Sequence, residues 1–406
     1  MAPIKKHKWT FSSRFRRNAF GWRSQTPIKR IKEAVSEIKS VSRKEPLLAG
    51  EGAVLLITKL SPALEHVDSS SGAIGTAVNN AINALVPIIT KASADNATRK
   101  KWLDRLWKAV EEDNMPYIEM LIEHWGILCQ TAELASTWAD ILISPVKITW
   151  SEEYRGGGGY FKGTPACLSS LLTAGRNQEI MDLLTLAPYK SWHERKWGVK
   201  ALVAMGKRAE ALRYAEDSRD NYSSPVEIAQ ICEEILLSSG LGDDAYSRYA
   251  IDANRKTTYL ATFRAIAKKY PDKEAKVILA DLVADSPGQE GKWFAAAKSV
   301  GLYKEAIVLA NSTPCDPRTL TRAARDMKTK EPGFAVEAGI AALHWLTAGY
   351  GYEITGMDVW DAYKFTIEAA VNADCQEQAK ERVKRLISTN TPGSHFASEI
   401  LKNKLG

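Results

Sequence analysis

LVAMGKRAEALRYAEDS (residues 202–218) decides the fold. An apolar helical face runs into Gly206, and an amphipathic segment resumes three or four residues later. Glycine accepts the positive φ that ends a helix without a Cβ clash. The same grammar returns in LLTAGRNQEIMDLLTLA around Gly175, LLSSGLGDDAYSRYAID around Gly240, AKSVGLYKEAIVLANST around Gly301 and AVNADCQEQAKERVKRL around Asp374. Small or apolar residues follow at helical spacing, as in Ala209, Leu212 and Ala215, or Ala306, Leu309 and Ala310. Ala211 and Ala306 are small enough to let two helices approach closely. One hairpin cannot bury its apolar face alone, so neighbours must stack.

The turns lie 31, 34, 61 and 73 residues apart, which reads as one, one, two and two repeats. The expected fold is all-α: an α-solenoid of stacked, tetratricopeptide-like helical hairpins, with a basic, partly disordered N-terminal arm. The expected divisions are an arm over 1–25, an amphipathic basic helix over 26–45, an N-terminal helical block over 46–150, a Gly-rich connector over 151–165 and the solenoid over 166–406.

Composition narrows the class. A chain of 406 residues that is 45% hydrophobic can bury a large core. No run of about 18 uncharged apolar residues exists, so no transmembrane helix is expected. Cys129, Cys167, Cys232, Cys315 and Cys375 are scattered singly, which fits reduced, buried thiols in the cytoplasm better than a disulfide framework. Most of the twelve tryptophans are expected to fill gaps between helices.

Charge is concentrated at one end. Residues 1–44 hold thirteen Lys and Arg against Glu33 and Glu37, a net of +11; since the whole chain is +7, residues 45–406 total −4. KKHKWTFSSRFRRNAFGWR (residues 5–23) interleaves cations with Trp9, Phe11, Phe15, Phe20 and Trp22. Cations neutralise phosphates and aromatic rings stack on unpaired bases. The candidate polyanion-binding residues are therefore Lys5, Lys6, Lys8, Trp9, Arg14, Phe15, Arg16, Arg17, Trp22 and Arg23. A flexible tail, or one folded back on the mildly acidic body, and a targeting or membrane-associated segment are the competing readings. Because only the segment 26–43 shows a face to bury, residues 46–400 are expected to fold without the arm, and deleting residues 1–24 to leave helicity and melting temperature nearly unchanged. Next, Thr26 is placed to cap a helix with Pro27 in its first turn. Ile28, Ile31, Val35, Ile38 and Val41 form its apolar stripe, with Lys29, Arg30, Lys32, Lys39 and Arg43 elsewhere around it.

ALEHVDSSSGAIGTAV (residues 63–78), RKKWLDRLWKAVEEDN (99–114) and EHWG (123–126) resemble the start of the helical-repeat region that follows SWIM zinc fingers in some bacterial proteins. The similarity continues through residues 192–218 and 291–312 and covers most of 46–390. It implies a bacterial scaffold or recognition protein with no known chemistry. The zinc finger itself is absent: no closely spaced cysteines and no Cys-x-His pair occur.

Enzyme motifs are missing. There is no HExxH, CxxC, GxSxG or dinucleotide fingerprint, and Gly156–Gly159 lack the Gly-Lys-Ser/Thr ending of a phosphate loop. Tyr154, Tyr160 and Phe161 beside those glycines line a groove or pack the connector down. His66 near Asp68, His193 beside Glu194, and Asp358 with Asp361 are the closest to acid–base pairs. Capping or solvated roles outweigh catalysis for each. No catalytic residue, metal or cofactor is assigned. The expected function is recognition: a protein partner on the helical-repeat surface and an anionic one, such as nucleic acid, through residues 1–44. The alternative is an accessory or regulatory subunit of an enzyme complex with no nucleic-acid contact.

Overall fold

The computed structural model describes residues 7–151, 153, 160–189, 191–219, 224–389 and 391–401. Among them the secondary structure is helical throughout, with no strand. The chain divides into two compact units, residues 1–235 and 236–406.

The repeat turns share one backbone geometry. Gly175, Gly206, Gly240 and Gly301 have φ of 75°, 78°, 75° and 76°, and Asp374 has φ 53°. In each, the amide after the turn residue donates to the carbonyl five positions back. Examples are Arg176 to Leu171 at 2.9 Å, Lys207 to Leu202 at 2.9 Å and Cys375 to Ala370 at 2.9 Å. The turn residue's own amide donates three positions back. This is the Schellman closure, which satisfies the last carbonyls of the helix. These turns link α7 (Thr164–Thr173) to α8 (Asn177–Thr185), and α9 (Trp192–Ala204) to α10 (Arg208–Glu216). They likewise link α11 (Pro225–Ser238) to α12 (Gly242–Asn254), α15 (Phe294–Ser299) to α16 (Tyr303–Ser312), and α19 (Gly356–Asn372) to α20 (Gln376–Ile387). A sixth, at Gly349 (φ 81°), ends α18 (Pro332–Thr347) with Tyr350 donating to Trp345 at 2.9 Å. The sequence reading missed it because no amphipathic segment follows directly.

The fold is a helical-repeat solenoid of such hairpins. The two helices of a hairpin differ in burial. In α9, Trp192, Trp197, Val199, Ala201 and Leu202 are all buried, whereas α10 buries only Ala211 and Ala215. Ala209 is exposed and Leu212 half-buried, so of the expected stripe of α10 only Ala215 is buried. In α16, Ala306, Leu309 and Ala310 are buried as expected.

The N-terminal unit is built on α2 (Pro46–Leu64) and α3 (Ala73–Lys91), against which α1 (Gln25–Ser42) packs. By length and composition α2 and α3 are apolar enough to cross a membrane, with mean hydropathies of 1.4 and 1.3. α2 is mostly buried in the core, and α3 contributes Ile74, Val78, Ala81, Ile82, Leu85, Val86 and Ile89 to it. Within α2, Glu51 accepts from Trp102 Nε1 and from Arg105 at 2.5 Å, and Lys59 donates to the Phe15 carbonyl at 3.5 Å. α1 begins one residue before Thr26, with Ser24 at its cap position. It buries Pro27, Ile31, Ala34 and Ile38, while Ile28, Val35 and Val41 pack at the edge of the core.

Arg99, on α4 (Asn96–Glu111), is fully buried. Its guanidinium donates to Ala92 at 2.8 Å, Leu128 at 3.2 Å and Ile89 at 3.3 Å. Ile89 and Ala92 end α3, and Leu128 lies in α5 (Trp125–Cys129). One cation thus serves the negative ends of two helix dipoles. Desolvation pulls its pKa down from the usual guanidinium range.

In the C-terminal unit, α12, α13 (Tyr259–Lys269), α14 (Ala275–Ala284), α15 and α16 lead into α17 (Pro317–Met327), α18, α19, α20 and α21 (Ser394–Leu401). α18 is buried on nearly every side and sits between α17 and α19.

Candidate functional site

The N-terminal arm is not a free tail. Trp9 is 6% exposed and Phe15 is 1% exposed; Phe11 and Phe20 are buried with them. Successive rings touch, with centroids 5.4 Å apart for Trp9–Phe11, 6.5 Å for Phe11–Phe15 and 5.4 Å for Phe15–Phe20. The Trp9 ring packs against α2 at Gly52, where any Cβ would collide with it. Trp9 and Phe15 are therefore core side chains, closed to base stacking, which corrects the expectation drawn from the sequence. The reason is area: each aromatic buries roughly 150–250 Å², and α1 with α2 offers an apolar surface to receive it. The same packing leads us to expect that removing the arm destabilises the N-terminal unit, the opposite of the outcome expected from the sequence.

The only two acids of the basic region hold the arm in place. Glu37 accepts from the Thr10 amide at 2.8 Å, the Thr10 hydroxyl at 2.6 Å and the Phe11 amide at 3.3 Å. Glu33 accepts from Arg30 at 2.7 Å and Arg14 at 3.0 Å, and the Arg30 hydrogen bond leads the effects that lower its pKa. The Asn18 amide donates to Pro62 and the Asp68 amide donates to Trp22, both at 2.9 Å. Arg14 is therefore tied, and Arg17 lies 3.7 Å from Glu65. Lys8, Arg16 and Arg23 are exposed and form no ion pair among the described residues, and Trp22 is 72% exposed. Lys5 and Lys6 lie outside the described residues.

A second feature of the N-terminal unit is a cleft of about 620 Å³. Tyr160, Phe161 and Trp150 form part of its wall, so the described aromatics of the Gly-rich connector do line a groove. Tyr154 and Gly156–Gly159 lie outside the described residues. The connector is anchored at its described end: Tyr160 donates to Glu119 at 2.5 Å, and Lys162 donates to the Val110 and Asp113 carbonyls at 3.1 and 3.2 Å. Glu123 sits between Lys196 at 2.7 Å and His193 Nε2 at 3.3 Å. His193 thus faces Glu123 from another helix and not its neighbour Glu194. Sequence reading had no signal for this pairing across about seventy residues. His124, also in the wall, is pushed toward its neutral form by burial, and its Nε2 has no hydrogen-bond partner among the described residues.

Glu123, Lys196 and His193 are thus partnered with one another. The other suspected acid–base pairs resolve the same way. Asp68 accepts from the Ser70 amide at 3.0 Å. Asp358 accepts from Arg318 at 2.7 and 3.0 Å and from Thr355 at 2.8 Å, and the Arg318 hydrogen bonds hold its carboxyl well below the usual range. Burial pushes the Cys129, Cys167 and Cys315 thiols up to about 12, far from a reactive thiolate. Among the described residues no group of three or more His, Cys, Asp or Glu side chains gathers as a metal site would require.

In the C-terminal unit, α14 and α16 enclose a third feature, an almost wholly apolar groove of about 370 Å³. Leu279, Ala280, Val283, Val308 and Leu309 line it, and the Lys276–Glu305 ion pair at 2.7 Å spans it from one helix to the other. Val308 is 65% exposed.

No family model and no curated protein matches the chain. A solved structure described as the crystal structure of the APC/C hetero-tetramer Cut9–Hcn1 aligns with 93% of this chain and 82% of its own, at 14% identity and a TM-score of 0.22. At that score the two chain paths do not superpose as wholes, and nothing about partners passes from one to the other.

Proposed function

We propose that the protein is a non-enzymatic recognition scaffold: its helical-repeat surface holds a protein partner, and its basic N-terminal region contacts an anionic one such as nucleic acid. The supporting observation is the α14–α16 groove. The exposed Val308 and half-buried Val283, over a floor of Leu279 and Leu309, suit the apolar face of a short helix or extended segment. The test is copurification from the native cells with wild-type protein and with Val308→Glu. A partner retained by the first and lost by the second supports the reading. Identical partner sets for both overturn it.

One observation favours a second reading. Four of the five arm aromatics are in the core, so the arm has a structural task regardless of any ligand. An accessory or regulatory subunit of an enzyme complex, with no nucleic-acid contact, needs nothing more from it. Salt-dependent binding of a polyanion separates the two.

A further inference from the structure

The outward face of α1 carries a pattern that the arm had obscured. Lys29, Lys32, Ser36, Lys39 and Arg43 are all exposed and follow one another at steps of three, four, three and four. At about 100° per residue these positions share one stripe. The stripe lies opposite the buried one formed by Pro27, Ile31, Ala34 and Ile38. From Lys29 to Arg43 it extends about 21 Å at 1.5 Å per residue. The nearby acids are mostly committed elsewhere, although Glu33 also feels the charge of Lys29. Glu33 and Glu37 point to the flank of α1 where residues 10–14 lie, and both are engaged there. Lys32, Lys39 and Arg43 form no ion pair among the described residues.

At the head of this ridge stands Trp22, 72% exposed, three residues before α1 begins. Its carbonyl accepts from the Asp68 amide at 2.9 Å, so the backbone is fixed while the ring projects into solvent. Arg23 follows it, also exposed. A rigid line of cations ending in one presented aromatic ring matches a phosphate chain with an unpaired base beside it. A bilayer surface is the poorer match, because the apolar face that would enter it is packed against α2 and α3.

We propose that single-stranded nucleic acid lies along the outer face of α1, its phosphates on Lys29, Lys32, Lys39 and Arg43 and one base stacked on Trp22. This rests on the anionic-partner reading above and moves the site from the arm's buried aromatics to α1.

The experiment is a fluorescence-anisotropy titration of the full chain with a labelled 20-nucleotide oligothymidine, a 20-base-pair duplex, and phosphatidylserine-containing vesicles as a third arm. Four phosphate contacts give a log–log salt slope of about −3 for a single strand. Lys32→Glu with Lys39→Glu should weaken single-strand binding about tenfold or more in 50 mM salt and flatten the slope by about 1.4. Trp22→Ala should weaken the single strand more than the duplex. Reversal of two exposed lysines elsewhere, Lys268→Glu with Lys384→Glu, is the charge-matched control and should change little. If ridge and control variants weaken binding equally, the ridge is not the site, although the anionic-partner reading stands. If only vesicles bind, in a ridge-dependent way, the partner is a membrane surface and the proposal fails. If nothing anionic binds, the proposal and the reading beneath it both fail.

Discussion

Removing one arm aromatic tests whether residues 7–23 belong to the core. Phe15 is 1% exposed and touches Phe11 and Phe20 in edge-on contacts. Truncating a buried Phe to Ala costs about 3–5 kcal/mol through lost transfer energy and the cavity left behind. The backbone cannot collapse readily into that space: the Phe15 carbonyl is held by Lys59, the Asn18 amide by Pro62, and Trp9 is seated on Gly52. The N-terminal unit spans residues 1–235. At about 2–4 °C per kcal/mol for a domain of that size, Phe15→Ala should lower its transition by about 6–20 °C. If the arm releases before the rest unfolds, the loss is capped at the arm's docking free energy, and trypsin cleavage at Arg14, Arg16 and Arg17 accelerates ahead of global melting. Scanning calorimetry of the full chain reads the first effect and timed proteolysis the second. Trp22→Ala is the control, since an exposed ring should change stability by no more than about 0.5 kcal/mol. A Phe15→Ala transition within about 2 °C of wild type, with unchanged proteolysis, would refute the reasoning and restore the arm as a dispensable tail.

Arg99→Met should destabilise the N-terminal unit by about 2 kcal/mol or more in chemical denaturation, because three buried carbonyls lose their donor at about 1–3 kcal/mol each, partly offset by relief of guanidinium desolvation. Arg99→Lys should not rescue it, since an ammonium cannot span the three carbonyls as the planar fork does; full rescue by lysine counts against the account. Asp358 has a folded pKa depressed by Arg318, so its contribution is complete above the unfolded pKa of about 3.9 and is lost as pH falls through the folded value. The stability gap between wild type and Asp358→Asn should therefore be constant from about pH 5 to 8 and close in more acidic solution, and a gap that widens in acid contradicts this. Gly206→Ala should cost about 1–2 kcal/mol from φ alone, because a Cβ there meets no atom within 4 Å. Asp374→Gly, at a position holding the same conformation against its side chain, should instead gain about 1 kcal/mol, and a loss there shows that Asp374 makes a compensating contact.

The local rules were legible in the chain. Gly175, Gly206, Gly240, Gly301 and even Asp374 were identifiable as turns because a left-handed residue between two amphipathic segments is a short-range requirement, written within about ten residues. The α1 stripe was legible for the same reason: Ile31 and Ile38 recur at helical spacing, and the opposite face had to be polar. What burial does to an irregular segment was not legible. Residues 7–23 have no period, so interleaved cations and rings read equally well as a binding tail or as a strap. The choice was made by Gly52, Lys59, Pro62 and Glu37, which come from distant positions and together make a floor, two hydrogen-bonding partners and a carboxylate clamp. The same holds for His193, which meets Glu123 only because two helices far apart in sequence share one cleft. A sequence determines which residues can bury a surface; whether a complementary surface exists to receive them is decided by the packing of the whole unit.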